Sequence, residues 1–85
     1  LPLDLDPTGH LLITRHHDQP GVMGLLGTLM GEAGVNISRL ELGTAETAQT
    51  PLALAFFSLD RAPSDELLND LRGLDAIEEV RFIEL

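Results

Sequence analysis

The chain has 85 residues, is 44% hydrophobic, and carries a formal net charge of −9 from 14 acidic and 5 basic side chains. This length allows one domain, which buries only roughly 60–65% of the surface that its unfolded chain exposes, so self-association would help to stabilise it. The charge argues against nucleic acid and anionic lipid as partners, since both are bound mainly through Lys and Arg. The absence of cysteine excludes disulfides, thiolate metal sites and a cysteine nucleophile.

The composition also bears on the cellular location of the protein and on the bounds of its domain. No apolar run approaches the roughly 20 residues that a membrane helix needs, and a small secreted domain without disulfides would be unusual. We therefore expect a cytoplasmic protein with no membrane partner. Leu1 to Gly9 contains two prolines and a glycine, which predicts a linker or the tail of a preceding domain, with the domain itself at 10–85. Because the chain starts with Leu instead of Met, we expect it to be a piece of a longer protein.

The first half of the domain predicts a strand followed by a helix. The apolar run within His10 to Arg15 has strand length, and apolar residues recur at helical spacing from Val22 to Ala33. Asp18 is predicted to cap the helix, Pro20 fits its first turn, and Gly34 supplies a left-handed exit. Glycines also lie on the face opposite the leucines. They indicate either a weakly helical exposed face or a flat surface that another backbone approaches.

The second half predicts two adjacent strands, a helix and a last strand. The alternation in the first of these strands changes parity, so we predict a bulge within it. The next strand is apolar on both faces, which suits a central strand whose second face is covered. The predicted elements are a strand at Val35 to Gly43 with its bulge near Ser38-Arg39, a hairpin loop at Thr44 to Pro51, a strand at Leu52 to Leu59, a helix capped by Ser64 and ended by Gly73, and a strand at Ile77 to Leu85.

The order of elements predicts an α+β fold. Two βαβ halves joined by a hairpin, with right-handed crossovers, close into a four-stranded antiparallel sheet with both helices on one face. This is the ferredoxin-like βαββαβ sandwich, which hosts many unrelated activities.

The residues offer little for catalysis or metal binding. His16 and His17 are neighbours on a strand and point to opposite faces, so they do not ligate one ion together. The remaining His and Asp residues show no ligand spacing, and no phosphate-binding glycine loop follows a strand. We therefore assign this chain no catalytic residue, no metal and no cofactor of its own.

A binding site has better support at the first strand-to-helix turn. There His16, Asp18 and the backbone N–H groups after Pro20-Gly21 meet a helix N-terminus, which attracts carboxylates. Asn36 opens the neighbouring strand with an amide that donates and accepts. This mixture suits a zwitterion. The alternative is that Asp18 only caps the helix, His16 is a solvated strand end, and Asn36 stabilises a turn.

Two segments together resemble the signature of the ACT family of amino-acid-binding regulatory domains, and the wider stretch is most similar to ACT domains at the C-terminus of D-3-phosphoglycerate dehydrogenases. Val80 to Leu85 fits the last strand of those domains, and the similarity spans residues 9–85. The two segments are His16-His17-Asp18-Gln19-Pro20-Gly21-Val22 and Gly34-Val35-Asn36-Ile37.

The resemblance implies that two protomers pair edge to edge into an eight-stranded sheet and bind serine between them as a feedback inhibitor. It implies ligand contacts at His16 and Asn36, while Asp18 stands where the family has Asn. Asp accepts from an ammonium but does not donate to a carboxylate. The implied ligand-binding residues are His16, Asp18, Pro20, Gly21, Val22, Asn36 and Ile37.

The resemblance also implies a parent enzyme. Its partners would be L-serine or another small amino acid, a second copy of the chain, and the catalytic domains of an NAD-dependent dehydrogenase that hold the NAD. Two alternatives stay open. The domain is a ligand-independent assembly module of that enzyme, or it is the ACT domain of another amino-acid enzyme such as serine dehydratase.

Overall fold

The computed structural model of the chain describes residues 9–46 and 51–85. The predicted linker, apart from Gly9, and the tip of the predicted loop lie outside the described residues. Four strands and two helices alternate as two βαβ halves. They are β1 (His10–His17), α1 (Val22–Glu32), β2 (Ile37–Glu46), β3 (Pro51–Leu59), α2 (Asp65–Arg72) and β4 (Ile77–Glu84).

The four strands form one antiparallel sheet in the order β2-β3-β1-β4. β3 pairs with β2 on one side and with β1 on the other, and β1 pairs with β4. β2 and β4 are therefore the edges. The predicted ferredoxin-like fold is confirmed.

The core lies between one face of the sheet and the two helices. Helix residues one or two turns apart point at the sheet because their spacing follows the helical period. Burying such side chains stabilises the fold by roughly 1.5–3 kcal/mol each. The buried core residues are Leu12, Val22, Leu26, Met30, Val35, Ala55, Phe57, Leu59, Leu67, Leu71, Ile77 and Val80.

The second face of β3 is apolar and carries no helix. Leu52, Leu54 and Phe56 lie on this face and are half-buried, while Ala53 and Ala55 lie on the helix side. Within the ranges 9–46 and 51–85, both helices lie on the opposite face of the sheet.

The bulge predicted in β2 is confirmed. The register with β3 shifts between Ile37 and Arg39, and Ser38 Oγ donates to the backbone oxygen of Ser58 at 3.1 Å. An extra residue at this point changes the parity of the strand. As a result Leu40 lies opposite Phe57, on the helix face.

The predicted boundaries of β2 were wrong at both ends, and β1 continues to His17 although it was predicted to end at Arg15. β2 begins at Ile37, two residues later than predicted, because the Val35 N–H donates to the Met30 oxygen at 2.9 Å and closes the end of α1. β2 also continues to Glu46, where a loop was predicted, because Thr44 pairs with Ala53 and Glu46 with Pro51. Backbone pairing with β3 outweighs the polar side-chain composition here.

The N-cap predicted for α1 was wrong as well. Gly21 occupies that position with a φ of 88°, and no side chain makes a capping hydrogen bond. Asp18 lies three residues earlier and is exposed. Gly34, by contrast, has the predicted left-handed conformation with a φ of 77°. Among the described residues nothing approaches the glycine face of α1 closely enough to touch an added Cβ.

No helix in the described part of the chain has the length and apolar character needed to cross a bilayer.

The cap of α2 gives a test of the fold. Ser64 Oγ accepts from the Leu67 N–H at 3.1 Å, so Ser64→Ala should lower the free energy of unfolding by about 1 kcal/mol. For a domain of this size that corresponds to a drop in Tm of about 4–8 °C. Ser64→Asp retains the acceptor and should keep nearly the original Tm in a thermal melt. Equal melting temperatures for all three chains would contradict the assignment of the cap.

Candidate ligand-binding site

His16 lies near the end of β1 and is almost completely buried, with 2% of its surface exposed. Its Nδ1 is 3.3 Å from Oγ1 of Thr14, which is itself buried, so the two side chains share a hydrogen bond. The direction of that bond depends on the tautomer of the imidazole. Because Nδ1 is engaged by Thr14, Nε2 is the ring nitrogen left to meet a ligand.

The burial of His16 affects its protonation. Loss of solvent around the ring lowers the pKa of His16 below its ordinary value, the Asp18 carboxylate opposes this shift, and His17 adds to it. At neutral pH the imidazole is therefore uncharged. A neutral imidazole donates at one nitrogen and accepts at the other.

The turn between β1 and α1 is closed by its own backbone. The Gln19 N–H donates to the His17 oxygen at 2.9 Å, and the Leu25 N–H donates to the Gly21 oxygen at 3.0 Å. Pro20 and Gly21 are exposed at this turn. The turn leaves Asp18 exposed beside His16, on the approach to the helix N-terminus.

A cavity of about 310 Å³ opens at this end of the molecule. His16 and Asp18 supply its polar groups, and the remaining walls are mainly apolar. A small pocket with an apolar wall and few polar groups is the usual setting for a small ligand. The lining residues are His16, Asp18, Met23, Leu42, Gly43 and Ala53.

Asn36 lies at the other end of the sheet. His16 pairs with Ala53, whereas Ile37, the residue after Asn36, pairs with Leu59. Six residues of β3 separate these positions, which corresponds to about 20 Å along the strand. Within one chain the structure therefore does not bring Asn36 to His16 and Asp18, although the sequence reasoning placed them at neighbouring elements.

The backbone of Asn36 is held by Asp60. The Asn36 N–H donates to Asp60 Oδ1 at 2.9 Å, and the Asp60 N–H donates to the Asn36 oxygen at 3.0 Å. Arg61 pairs with the same carboxylate. The hydrogen bonds of Arg61 and Asn36 lower the pKa of Asp60 below its ordinary value, so this carboxylate stays charged. The side chain of Asn36 remains exposed.

The other residues predicted to bind the ligand do not line the cavity. The side chain of Val22 is buried in the core and does not line the cavity. Its backbone N–H donates to the Gln19 oxygen at 3.4 Å. Ile37 packs against the core at the Asn36 end. Among the residues predicted for the ligand, only His16 and Asp18 line the cavity.

Sequence reasoning missed the four other lining residues. The sequence placed Met23 in a helix and Leu42 in a strand, and neither residue carries a polar group that would indicate a binding site. Their shared position follows from the sheet register, in which Leu42 lies opposite Ala55 and Gly43 opposite Leu54. No local signal in the sequence encodes such a long-range pairing.

No cluster of three or more His, Asp or Glu side chains suited to a metal ion occurs within residues 9–46 and 51–85.

Comparison with known proteins identifies close relatives. The profile of the ACT domain matches residues 10–76. The chain is 34% identical to a D-3-phosphoglycerate dehydrogenase of Archaeoglobus fulgidus over 93% of its length, and 32% identical to that of Bacillus subtilis over 98%. It spans only 15% of the length of either relative.

A solved structure shares the fold of this chain. The small subunit of acetolactate synthase from Thermotoga maritima superposes with a TM-score of 0.66 and 25% identity, covering 88% of this chain and 47% of that chain.

The buried imidazole predicts a pH dependence of stability. The pKa of His16 is lower in the folded chain than in the unfolded one, so the unfolded state binds the additional proton. The contribution of His16 to stability is present above its ordinary pKa, about 6.5, and is lost as the pH falls below it. His16→Gln should therefore flatten the pH dependence of the unfolding free energy between pH 7.5 and 5.5, measured by urea denaturation.

His17→Gln is the matched control, because it removes the neighbouring imidazole and leaves His16 in place. It should keep most of the original pH dependence. Identical slopes for the original chain and His16→Gln would mean that His16 is not the group that resists protonation.

Proposed function

The chain belongs to the ACT domain family, and we propose that it is the regulatory domain of a D-3-phosphoglycerate dehydrogenase that binds L-serine or another small amino acid. In this role it gives feedback control of L-serine biosynthesis. The observation that carries the proposal is the cavity beside the helix N-terminus, lined by the neutral His16 and the exposed Asp18. The similarity to D-3-phosphoglycerate dehydrogenases covers nearly the whole chain.

The ligand site is completed by a second copy of the chain. β2 is an edge strand, so the backbone groups on its outer side are open to another strand. Three large apolar side chains lie exposed along this edge and on α1 behind it, namely Leu25, Leu40 and Leu42. Two β2 strands related by a two-fold axis run antiparallel and bury these leucines against each other.

The two-fold pairing also brings the separated site residues together. In an antiparallel pair the start of one strand lies beside the end of the other. The partner subunit's Asn36, just before its β2, then lies next to the cavity formed by His16, Asp18 and Gly43. A ligand in that position bridges the two protomers, with polar groups from both.

A ligand that bridges the two protomers couples its own binding to the arrangement of the subunits, and the strength of this coupling is a free energy. A ligand that contacts both protomers favours the paired arrangement and biases the orientation of the catalytic domains attached to them. Couplings of this kind are typically about 1–3 kcal/mol, or roughly 5–150-fold in affinity. A few hydrogen bonds across the interface are sufficient. In the parent enzyme the NAD site lies in domains other than this one.

Asn36→Ala tests the site. Its backbone bonds to Asp60 remain, so the Tm should change little, while the affinity for L-serine should fall about tenfold or more as the cross-subunit hydrogen bonds are lost. Isothermal titration measures the affinity and a thermal melt checks the fold. Asn69→Ala, an exposed Asn on α2, is the control and should bind like the original chain. Unchanged serine affinity in Asn36→Ala would remove Asn36 from the site.

A second function, that of an assembly module which binds no metabolite, is favoured by the exposed leucines alone. They support pairing through β2 whether or not a ligand is present. The two functions differ in their response to amino acids. A stable dimer that ignores L-serine and every other amino acid in the titration would establish the assembly module, with Asp18 in place of Asn as the physical reason.

Both functions require the β2 edge. Leu42→Asp places a carboxylate in the paired interface without a partner and should weaken self-association by about tenfold or more. Light scattering over a concentration series measures this. Ile83→Asp is the matched control, since Ile83 is an exposed apolar residue on the other edge strand, and it should leave the dimer intact. The reverse result would place the interface at β4.

A further inference from the structure

A zwitterionic ligand leaves one charge unmatched in the cavity. Asp18 is the charged residue in the lining, and its carboxylate suits the ammonium of an amino acid. The imidazole of His16 is neutral, and the chain as a whole carries a net charge of −9. Within one chain the ligand carboxylate meets only the uncharged N–H groups at the N-terminus of α1, so a cation from outside the cavity lining would strengthen its binding.

Two of the five arginines are engaged on the face of the sheet away from the helices. Arg15 Nη2 lies 3.3 Å from Glu79 Oε1, and Arg81 Nε lies 2.6 Å from Glu79 Oε2. Arg39 lies opposite Ser58 in the register, on that same face. The direction of these strand positions excludes them from the cavity, which opens on the helix side.

A fourth arginine is held far from the β2 edge. Arg72 closes α2 and donates from Nη2 to the backbone oxygen of Val80 at 3.2 Å. β4, which contains Val80, is the edge strand opposite to β2. Arg61 is the remaining arginine.

Arg61 lies at the Asn36 end of the sheet, where Asp60 holds both residues. Arg61 Nε donates to Asp60 Oδ1 at 3.3 Å and Arg61 Nη2 donates to Oδ2 at 3.1 Å, while the same Oδ1 accepts the Asn36 N–H. A guanidinium has five N–H donors, so this pairing leaves donors on Nη1 for a second carboxylate. The Arg61 side chain is 64% exposed and accessible.

We propose that Arg61, reaching from the partner subunit beside its Asn36, binds the carboxylate of the amino acid whose ammonium is held by Asp18. This inference rests on the proposed function, because the two-fold pairing of β2 is what brings this end of one protomer to the cavity of the other. It fixes the ligand class as a zwitterion with one orientation across the interface. Asp60 is a positioning residue that aligns Asn36 and Arg61.

The test compares two probes that differ only in the carboxylate. L-Serine carries both charges, and ethanolamine has the same hydroxyl and ammonium without the carboxylate. Isothermal titration of the chain with each probe is repeated for Arg61→Ala, for Arg61→Lys, and for Arg81→Ala as a control with the same change in charge. Arg61→Ala should bind serine about tenfold or more weakly and bind ethanolamine as before, since a charge-assisted hydrogen bond is lost for serine only.

Each outcome has one meaning. Selective loss of serine affinity in Arg61→Ala, partial recovery in Arg61→Lys and normal binding in Arg81→Ala support the proposal. Unchanged serine affinity in Arg61→Ala, or an equal loss for both probes, overturns the role of Arg61 and leaves the regulatory function standing. A chain that binds no amino acid before any substitution overturns the regulatory function and this inference together.

Discussion

Strand β3 runs antiparallel to both of its neighbours, pairing Ala53 with His16 on one side and Leu59 with Ile37 on the other. This register fixes the two ends of the sheet. The cavity with His16 lies at one end and the Asn36 cluster lies at the other. A small ligand cannot reach both within one chain, since about 20 Å separates them. The ligand site that we propose from these residues therefore needs two chains, with one reversed relative to the other.

The sequence predicted the order of the elements because each has a local cause. The helical spacing in α1, the Ser64 cap of α2 and the parity change in β2 depend on residues a few positions apart. Asp18 and His16 were found by the same local reasoning about a strand-to-helix turn. Their partner residues Met23, Leu42 and Ala53 were not, because only the pairing of distant strands brings them together. Asp18 was misread as a cap, since a left-handed glycine occupies that position without any side-chain bond.

The charged groups of the proposed site distinguish it from a helix N-terminus that offers only N–H groups. The domain is strongly acidic, and one of its few cations is held at the end of the sheet where Asp60 binds both Arg61 and Asn36. The Asp60 carboxylate holds the Arg61 guanidinium beside Asn36 and neutralises its charge. Hydrogen-bond donors are therefore available at this end without an excess of positive charge. In the proposed site the acidic residue at the cavity and the donors at the far end are complementary halves, and each chain carries one of each.

The bulge in β2 determines which residues of that strand face the helices, and its effect depends on the number of residues in the strand. Ile37 and Leu40 are three residues apart yet both face the helices, because Ser38 inserts into the ladder and bonds to Ser58. Substitution at an exposed position of β2 changes one side chain. Deletion of Ser38 would remove the extra residue and leave Ile37, Leu40 and Leu42 on the helix side, whereas deletion of Glu41, which lies after the bulge, would turn Leu42 away from that side. Natural changes in the length of this strand should therefore be confined to the bulge at Ser38 and to segments outside the paired region.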